Sequence, residues 1–261
     1  KETNEIGFSG IEAGGKFPKN SNELIPKLEK ENLKLCSGWY GANLLKNTVK
    51  EEILIMKDQL DLFKECNAPC MVVAEVSGSI QGKVKIPLSK RPILNMDEWK
   101  TFYNKISEIS KYMQDSGVPL AYHHHMGTVV QSQEDTERLI DNTSDTVKLL
   151  IDTGHMMFAG GDFVKIAKDY SSRLHHVHCK DIRKDVLDMS LKNDLSFIDA
   201  FFAGAFTVPG DGCINYKNFL KILKNLNYNG WLVVEAEQDP KKANPFEYGK
   251  IGFNHLKKIA L

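Results

Sequence analysis

The sequence predicts an α/β fold, a (β/α)8 barrel formed as a single domain over residues 1–261. A chain of 261 residues suits one such barrel, which typically needs about 250 residues. Strand-like segments alternate with helical segments along the chain, which is the pattern of a parallel sheet. Four consecutive strand segments also end on potential metal ligands. This favours a barrel mouth over a doubly wound sheet, whose ligand site lies at one switch point.

The strand segments are short apolar runs rich in β-branched and aromatic residues. Each run is followed by a helical segment, so the units repeat as strand and then helix. Seven strands are predicted, at residues 7–12, 33–37, 70–75, 118–125, 147–152, 174–178 and 231–235.

The helical segments have apolar residues at spacings of three and four. The segment 48–66 places a row of apolar side chains on one face, and the segment 97–116 begins with Asp97 as its predicted N-cap and ends beside Gly117. Helices are predicted at residues 22–31, 48–66, 97–116, 132–142, 162–170, 216–226 and 245–259.

Seven βα units are one fewer than an eight-stranded barrel requires. The chain opens with Lys1-Glu-Thr-Asn-Glu and enters its first strand-like segment by residue 6, as though it began inside a helix or loop. We therefore expect the first strand of the barrel to be missing from this chain.

Two long connections interrupt the pattern, at residues 77–96 and 181–215. Both follow strands, so both belong to the face of a barrel where active sites lie. Long loops on that face usually form lids or substrate walls. The alternative interpretation is a contact between subunits of an oligomer.

Composition narrows the function classes. Lys and Arg total 34, as do Asp and Glu, so the formal net charge is zero and favours neither nucleic acid nor an anionic membrane. The five cysteines form no CxxC pair, which is typical of reduced thiols in a cytoplasmic protein. No apolar run has the length of a membrane span and no signal peptide is visible. The expected partner is a small molecule.

Histidines and an aspartate mark three of the strand ends. Asp152 closes one strand and precedes Thr153-Gly-His155, so the histidine can return to the same pocket. His176 and His178 share a strand face, and His178 lies nearer the carboxyl end, which makes it the better ligand candidate. A helix-capping Asp152 and a structural His176 are the alternative interpretations.

A histidine triplet, residues 123–125, lies inside another strand. Alternation puts His123 and His125 on one side of the strand and His124 on the other. Either His123 or His125 is a candidate ligand, and the other is a candidate substrate contact.

Carboxylates close three further strands. Glu12, Glu75 and Glu235 each follow an apolar run, and Glu237 shares a face with Glu235. One such carboxylate is explained by a cap or a salt bridge. Several in one mouth repel unless a cation or the hydroxyls of a substrate compensate them.

These residues lie within segments that carry a family resemblance. The Tyr-His-His-His-Met-Gly-Thr string at residues 122–128 and the Ser-Ile-Gln-Gly loop at residues 79–82 are the specific parts. The Asp152-Thr-Gly-His155 segment with residues 160–162, and residues 176–181, agree with them. Together they resemble the inosose dehydratases (2-keto-myo-inositol dehydratases), which belong to the xylose isomerase-like TIM barrels. The resemblance runs essentially end to end.

The resemblance implies a divalent metal, manganese or cobalt, and leaves open a glutathione requirement and a homo-oligomer. In related epimerases a Glu, an Asp, a His and a Glu at strand ends bind the metal. By position these ligands correspond to His123, Asp152, His178 and Glu235. The first is a departure, because this chain has His where those enzymes have Glu.

The reaction implied is loss of water from a cyclic keto-polyol in inositol catabolism. A base removes the hydrogen beside the ketone, and the hydroxyl on the next carbon leaves with the help of an acid. Glu75 is the first choice for the base and Glu235 the second, while His155 or His125 is expected to protonate the leaving group.

Other polar residues near the strand ends suit the hydroxyls or the oxyanion of a polyol substrate. The expected substrate contacts are Glu12, Lys16, Lys180 and Arg183.

Three other functions remain open from sequence. A ketose or keto-inositol epimerase or isomerase uses the same metal-assisted proton removal. An endonuclease IV-type activity is less favoured, because it needs a richer ligand set and the chain has no basic bias. A non-catalytic sugar-binding barrel is opposed by the retained Asp152, His178 and Glu235, since binding alone needs no metal-ligand ring.

Overall fold

The fold of residues 1–260, which the computed structural model describes, is a nearly closed parallel barrel surrounded by helices. This confirms the predicted fold class. The strands are β1 (Gly10–Ala13), β2 (Lys34–Ala42), β3 (Met71–Glu75), β4 (Leu120–His123), β5 (Lys148–Asp152), β6 (Leu174–Cys179), β7 (Asp181–Ile182), β8 (Phe206–Thr207) and β9 (Leu232–Val234).

The helices follow the strands as the sequence predicts, with additions. They are α1 (Glu2–Ile6), α2 (Ser21–Lys30), α3 (Val49–Glu65), α4 (Met96–Asp115), α5 (Gln133–Asp141), α6 (Thr153–Phe158), α7 (Phe163–Asp169), α8 (Lys184–Lys192), α9 (Phe197–Ala203), α10 (Tyr216–Asn225) and α11 (Pro245–Ala260). Within residues 1–260, no helix has both the length and the apolar character needed to cross a membrane.

Seven strands form the barrel sheet in the order β1-β2-β3-β4-β5-β6-β9, all parallel. In the described residues β1 and β9 do not pair with each other, and a cavity of about 590 Å³ lies between them. Helices α1 and α11 line the outer side of this gap. The barrel therefore has an open side between its first and last described strands.

Two apolar layers hold the barrel. A small cluster of Cys70, Val72, Ala121 and Leu150 fills its interior. The larger core lies between the outer face of the sheet and the helices, and side chains such as Phe102 of α4 are fully buried in it. Alternate residues of each strand therefore face the interior and the helix layer.

The two long connections pack against each other above the barrel. Residues 181–215 contain α8, α9 and the antiparallel pair β7 and β8, none of which was predicted. The Lys85 amide donates to Ser196 Oγ at 3.2 Å, and the Leu88 amide donates to the Leu195 carbonyl at 3.2 Å. Both connections therefore form walls over the carboxyl end of the barrel.

The predicted N-cap of α4 was wrong. Asn95, not Asp97, caps the helix: its side chain accepts from the amides of Asp97 and Glu98, each at 3.0 Å. The Glu98 carboxylate accepts the Asn95 amide at 2.8 Å, which completes a capping box. Two cap-forming residues lie two positions apart, and the sequence pattern did not distinguish them.

Replacing Asn95 with Ala should destabilise the protein by about 1 kcal/mol, because the amides at the start of α4 lose their acceptor. The matched change Asp97→Ala should cost less than about 0.5 kcal/mol, since Asp97 contributes only its charge near the helix N-terminus. Urea unfolding midpoints measure both. A larger loss for Asp97→Ala would identify Asp97 as the cap.

Candidate metal centre and active site

Four neighbouring strands bring the predicted metal ligands together. Asp152 at the end of β5 lies in register with His178 on β6, and Glu235 follows β9 directly. One ligand atom each of His123, Asp152, His178 and Glu235 lies within 4.8 Å of all the others. The structure thus groups the four residues that sequence and resemblance predicted.

Both imidazoles of this cluster are oriented by hydrogen bonds on their far side. His123 Nδ1 lies 2.6 Å from the His124 carbonyl, which can only accept, so Nδ1 carries the hydrogen and Nε2 presents a lone pair. His178 Nε2 lies 3.1 Å from Glu12 Oε1, so its Nδ1 faces the cluster. Fixing the outer nitrogen in this way is typical of histidine metal ligands.

Three of the facing atoms are buried and make no hydrogen bond of acceptable geometry, although polar atoms lie close to them: Asp152 Oδ2, His178 Nδ1 and Glu235 Oε2. His178 Nδ1 lies 2.7 Å from Glu235 Oε2 and 3.5 Å from Asp152 Oδ2. Bonds of about 2.1 Å to one ion place neighbouring ligand atoms roughly 3.0 to 3.4 Å apart. These atoms fit a divalent cation, which would satisfy all of them together.

The electrostatics of the cluster also favour a cation. Burial acts to lower the pKa of His178, but the Glu12 and Glu235 carboxylates raise it well above its usual value. Burial acts to raise the pKa of Asp152, yet the ammonium of Lys180 holds it well below its usual value. The cluster is therefore anionic enough that His178 takes up a proton when no ion is bound.

Glu12 holds the candidate ligand His178 in place. Its Oε1 accepts hydrogen bonds from Ser37 Oγ, from His176 Nε2 at 2.9 Å and from His178 Nε2 at 3.1 Å. Glu12 also lines the cavity beside the cluster, where it could contact a substrate. The substrate contact predicted for Glu12 therefore stays a proposal. His176 forms a buried polar contact with Glu12, as the alternative interpretation of this residue from sequence expected.

A second polar cluster lies beside the first. Glu237 Oε2 is 3.2 Å from His155 Nε2, and Glu237 Oε1 is 3.6 Å from His125 Nε2. The Lys180 ammonium donates to Glu237 at 2.7 Å and lies 3.2 Å from Asp152 and 3.3 Å from Glu235. Lys180 thus connects the two clusters and has no exposed surface.

A cavity of about 360 Å³ opens over both clusters. Trp39 and Phe197 form aromatic walls, and Gln81 and Gly82 come from the connection after β3. The other lining residues are Glu12, Val72, His123, His125, His178, Glu235 and Glu237. The cavity combines carboxylates and imidazoles with apolar ring faces, which suits a ring that carries hydroxyl groups.

The structure does not place Glu75, the first choice for the base, at this cavity. Val72 faces the cavity, and alternation along β3 turns Glu75 towards the helix layer, where it is fully buried. Its carboxylate accepts the amides of Leu44 at 2.6 Å and Ser77 at 2.7 Å. Glu75 is therefore positioned to fix two turns of backbone and not to reach a substrate.

Two predicted substrate contacts also lie away from the cavity. Lys16 is exposed in the loop after β1, beside a separate surface pocket. Arg183 binds Asp211 at 2.6 Å and the Gly204 carbonyl at 2.8 Å, so it holds the segment that carries β7 and β8. Lys180, His125 and His155 do lie in the site, although Lys180 and His155 are behind its surface.

Several residues of the cavity were not assigned a role from sequence, among them Trp39, Gln81, Phe197 and Glu237. Glu237 had a signal, because it shares a face with Glu235. Trp39 was hidden by the predicted end of its strand at residue 37, whereas β2 continues to Ala42. Phe197 and Gln81 come from long connections whose path a local pattern does not define.

The fold and the position of the site at the mouth of the barrel define a class of barrel enzymes. Comparison with known proteins identifies the family. Residues 1–259 match the family described as xylose isomerase-like TIM barrel. The chain belongs to this family. Among solved structures, the probable 3-DHS dehydratase AsbF from Bacillus anthracis has a TM-score of 0.73 at 14% identity, over 98% of this chain and 91% of that one. An IOLI protein with a bound zinc atom has a TM-score of 0.68 at 16% identity, over 99% of this chain and 90% of that one.

Relatives that are more similar in sequence include proteins named as dehydratases. The chain is 44% identical to inosose dehydratase 2 of Bacillus cereus, over 93% of this chain and 82% of that protein. It is 41% identical to the rhizopine catabolism protein MocC of Rhizobium meliloti, over 99% of this chain and 80% of that protein. The predicted enzyme class, a dehydratase of the hydro-lyase type, is confirmed by these relatives.

Replacing Glu12 with Gln should weaken binding of a divalent ion by about 10- to 100-fold, because His178 loses the carboxylate that orients it. Titration calorimetry with Mn²⁺ measures the dissociation constant. The exposed Glu29→Gln variant is the matched control and should bind as the wild type does. Unchanged affinity in Glu12→Gln would contradict the orienting role.

Binding of Mn²⁺ near neutral pH should release a proton, because His178 has a raised pKa without the ion and must be neutral to ligate it. Affinity should therefore fall as pH falls, since the proton then competes more strongly with the metal. Calorimetry in buffers of different ionisation enthalpy measures the proton count. Binding without proton release would show that His178 is already neutral in the metal-free protein.

Proposed function

We propose that this enzyme removes water from 2-keto-myo-inositol (scyllo-inosose) to give a trihydroxycyclohexane-1,2-dione in inositol catabolism. The observation that carries the proposal is the cluster of His123, Asp152, His178 and Glu235 at a cavity with polar and aromatic walls. Identity of 43–44% to inosose dehydratases over 93% of the chain supports the same substrate.

The ion proposed for the cluster is Mn²⁺ or Co²⁺, with His123, Asp152, His178 and Glu235 as its ligands. Two imidazoles and two carboxylates form a mixed nitrogen and oxygen donor set, which suits divalent first-row metals. When bound, the ion supplies Lewis-acid polarisation of the ketone. A glutathione requirement stays a prediction, to be tested by omitting glutathione from the assay.

The cavity favours a cyclic polyol over a flat aromatic or an extended chain. Trp39 and Phe197 offer ring faces to the C–H face of a saturated ring. Glu12, Glu235 and Glu237 offer carboxylate oxygens that accept hydrogen bonds from hydroxyl groups. This arrangement also leaves no fixed phosphate-binding group among the described lining residues.

His125 is the residue best placed to move the proton. Its Nδ1 lies 2.9 Å from the Met126 carbonyl, so Nδ1 carries the hydrogen and Nε2 is free to accept one. Nε2 lies 3.6 Å from Glu237, and His125 lines the same cavity as the ligand cluster. If the substrate ketone lies at the cluster of His123, Asp152, His178 and Glu235, the adjacent ring carbon can lie close to His125.

The proposed sequence begins with transfer of the proton on that carbon to His125 Nε2, and the electron pair of the C–H bond forms an enolate. The Glu237 carboxylate stabilises the imidazolium. The enolate electrons then form a C=C bond to the next ring carbon, and the C–O bond of the hydroxyl on that carbon breaks. His125 returns its proton to the departing oxygen, which leaves as water. The remaining enol becomes the second ketone of the dione by tautomerisation.

Glu237 is prepared for this role by its surroundings. Burial acts to raise its pKa, but Lys180 and His155 hold the pKa well below its usual value, so it stays ionised. An ionised Glu237 stabilises a positive His125 without taking the proton itself. This moves the base from Glu75, the first choice from sequence, to a residue that was considered there as the acid.

Purified protein, stripped by chelation, should convert scyllo-inosose to the dione only after Mn²⁺ or Co²⁺ is restored. Ultraviolet absorbance follows the dione, and NMR follows the new ring methylene. An isomerised polyol without water loss would instead identify an epimerase. No turnover by the metal-loaded protein would contradict the proposed substrate.

His125→Asn should lower kcat by about 100-fold or more, because general acid–base catalysis contributes roughly that much. Metal content should remain that of the wild type, since His125 is outside the four-ligand cluster. His175→Asn is the matched control: His175 lies outside the cavity, with Nε2 3.2 Å from the Pro69 carbonyl. A kcat for His125→Asn close to that of the control would exclude His125 as the proton carrier.

A further inference from the structure

The second polar cluster has the composition of a metal site. One ligand atom each of His125, His155 and Glu237 lies within 4.8 Å of the others, the same separation that groups the first cluster. Two imidazoles and a carboxylate are a common set of protein ligands for a divalent ion. By ligand chemistry alone, this cluster would take an ion beside the one proposed for the first cluster.

A side chain already supplies a cation at this position. Lys180 Nζ lies 2.7 Å from Glu237 Oε2 and 2.9 Å from His155 Nε2, so it contacts two of the three residues of the cluster. An ammonium at these distances leaves no space for an ion bound to the same atoms. The same ammonium also faces the ligands Asp152 and Glu235 of the first cluster.

The position of the ammonium is set by packing. A methyl group on Gly154 would lie 2.8 Å from Lys180 Cγ, so the Lys180 stem runs directly against the backbone after β5. Thr153 Oγ1 donates to the Lys180 carbonyl at 2.8 Å. The Phe206 ring lies 5.6 Å from Nζ on another side. A fully buried side chain held in this way has little freedom to withdraw.

We propose that the Lys180 ammonium replaces a second divalent ion, so that the enzyme binds a single ion and keeps a latent second site of His125, His155 and Glu237. The inference rests on the metal centre of the proposed function but not on its substrate. Lys180 is therefore a positioning residue. It holds Glu237 and His155 with a positive charge that, unlike a metal ion, a chelator cannot remove.

Metal stoichiometry tests the proposal. Chelated protein is titrated with Mn²⁺, and bound ions are counted by calorimetry and by elemental analysis after dialysis. The wild type should bind about one ion per chain and Lys180→Met about two, because the freed ligands suit a second divalent ion. Lys180→Met combined with Glu237→Gln should return to about one. The exposed Lys217→Met control should match the wild type.

Two outcomes overturn the proposal: two ions in the wild type, or one ion in a Lys180→Met protein that unfolds cooperatively. If Lys180→Met does not fold, Lys180→Gln replaces it: the amide keeps a polar group in the buried site, which favours folding, and removal of the positive charge again predicts about two ions. Manganese EPR of the wild type under excess metal needs no variant at all. An uncoupled spectrum is expected, and an exchange-coupled pair would overturn the inference.

Failure of the proposed function gives a different result. Absent turnover of scyllo-inosose with the expected stoichiometries would leave the Lys180 inference intact and remove only the substrate. A wild type that binds no ion would overturn the metal centre and this inference together.

Discussion

Compensation of negative charge at the barrel mouth is the constraint on which the site depends. Glu12, Asp152, Glu235 and Glu237 lie close together in a largely buried region, and ionised carboxylates repel there unless cations neutralise them. Lys180 supplies one positive charge from the chain, and the unpartnered atoms of the first cluster are suited to a second from solution. The imidazoles are then oriented by whichever carboxylate or carbonyl lies behind them.

The parallel sheet makes this crowding possible. Neighbouring strands run in the same direction, so their carboxyl ends meet at one rim, and the register of β5 and β6 sets Asp152 beside His178. The two long connections then form walls of the cavity, with Gln81 from the first and Phe197 of α9 from the second. Fold and site are therefore linked by register: a shift of one residue in either strand would turn its ligand away from the mouth.

Much of this arrangement could be predicted from sequence, because a ligand at a strand end is a local signal. His123, Asp152, His178 and Glu235 were identified in that way, with the family resemblance selecting among neighbours. Glu75 shows what a local signal cannot predict. It does lie at a strand end, as expected, but its side chain points away from the cavity, because the sequence did not define which residues of β3 face the barrel interior. The roles of Lys180 and Phe197 depend on long-range packing, for which no local pattern exists.

The polar cluster joins strands that are far apart along the chain. Glu12 on β1 and Glu235 after β9 both contact His178 on β6. Side chains thus connect the first and last strands of the described sheet at its carboxyl end. An ion bound by His178 and Glu235 would add to these contacts in the folded protein alone, so it would stabilise the whole barrel and not only the site.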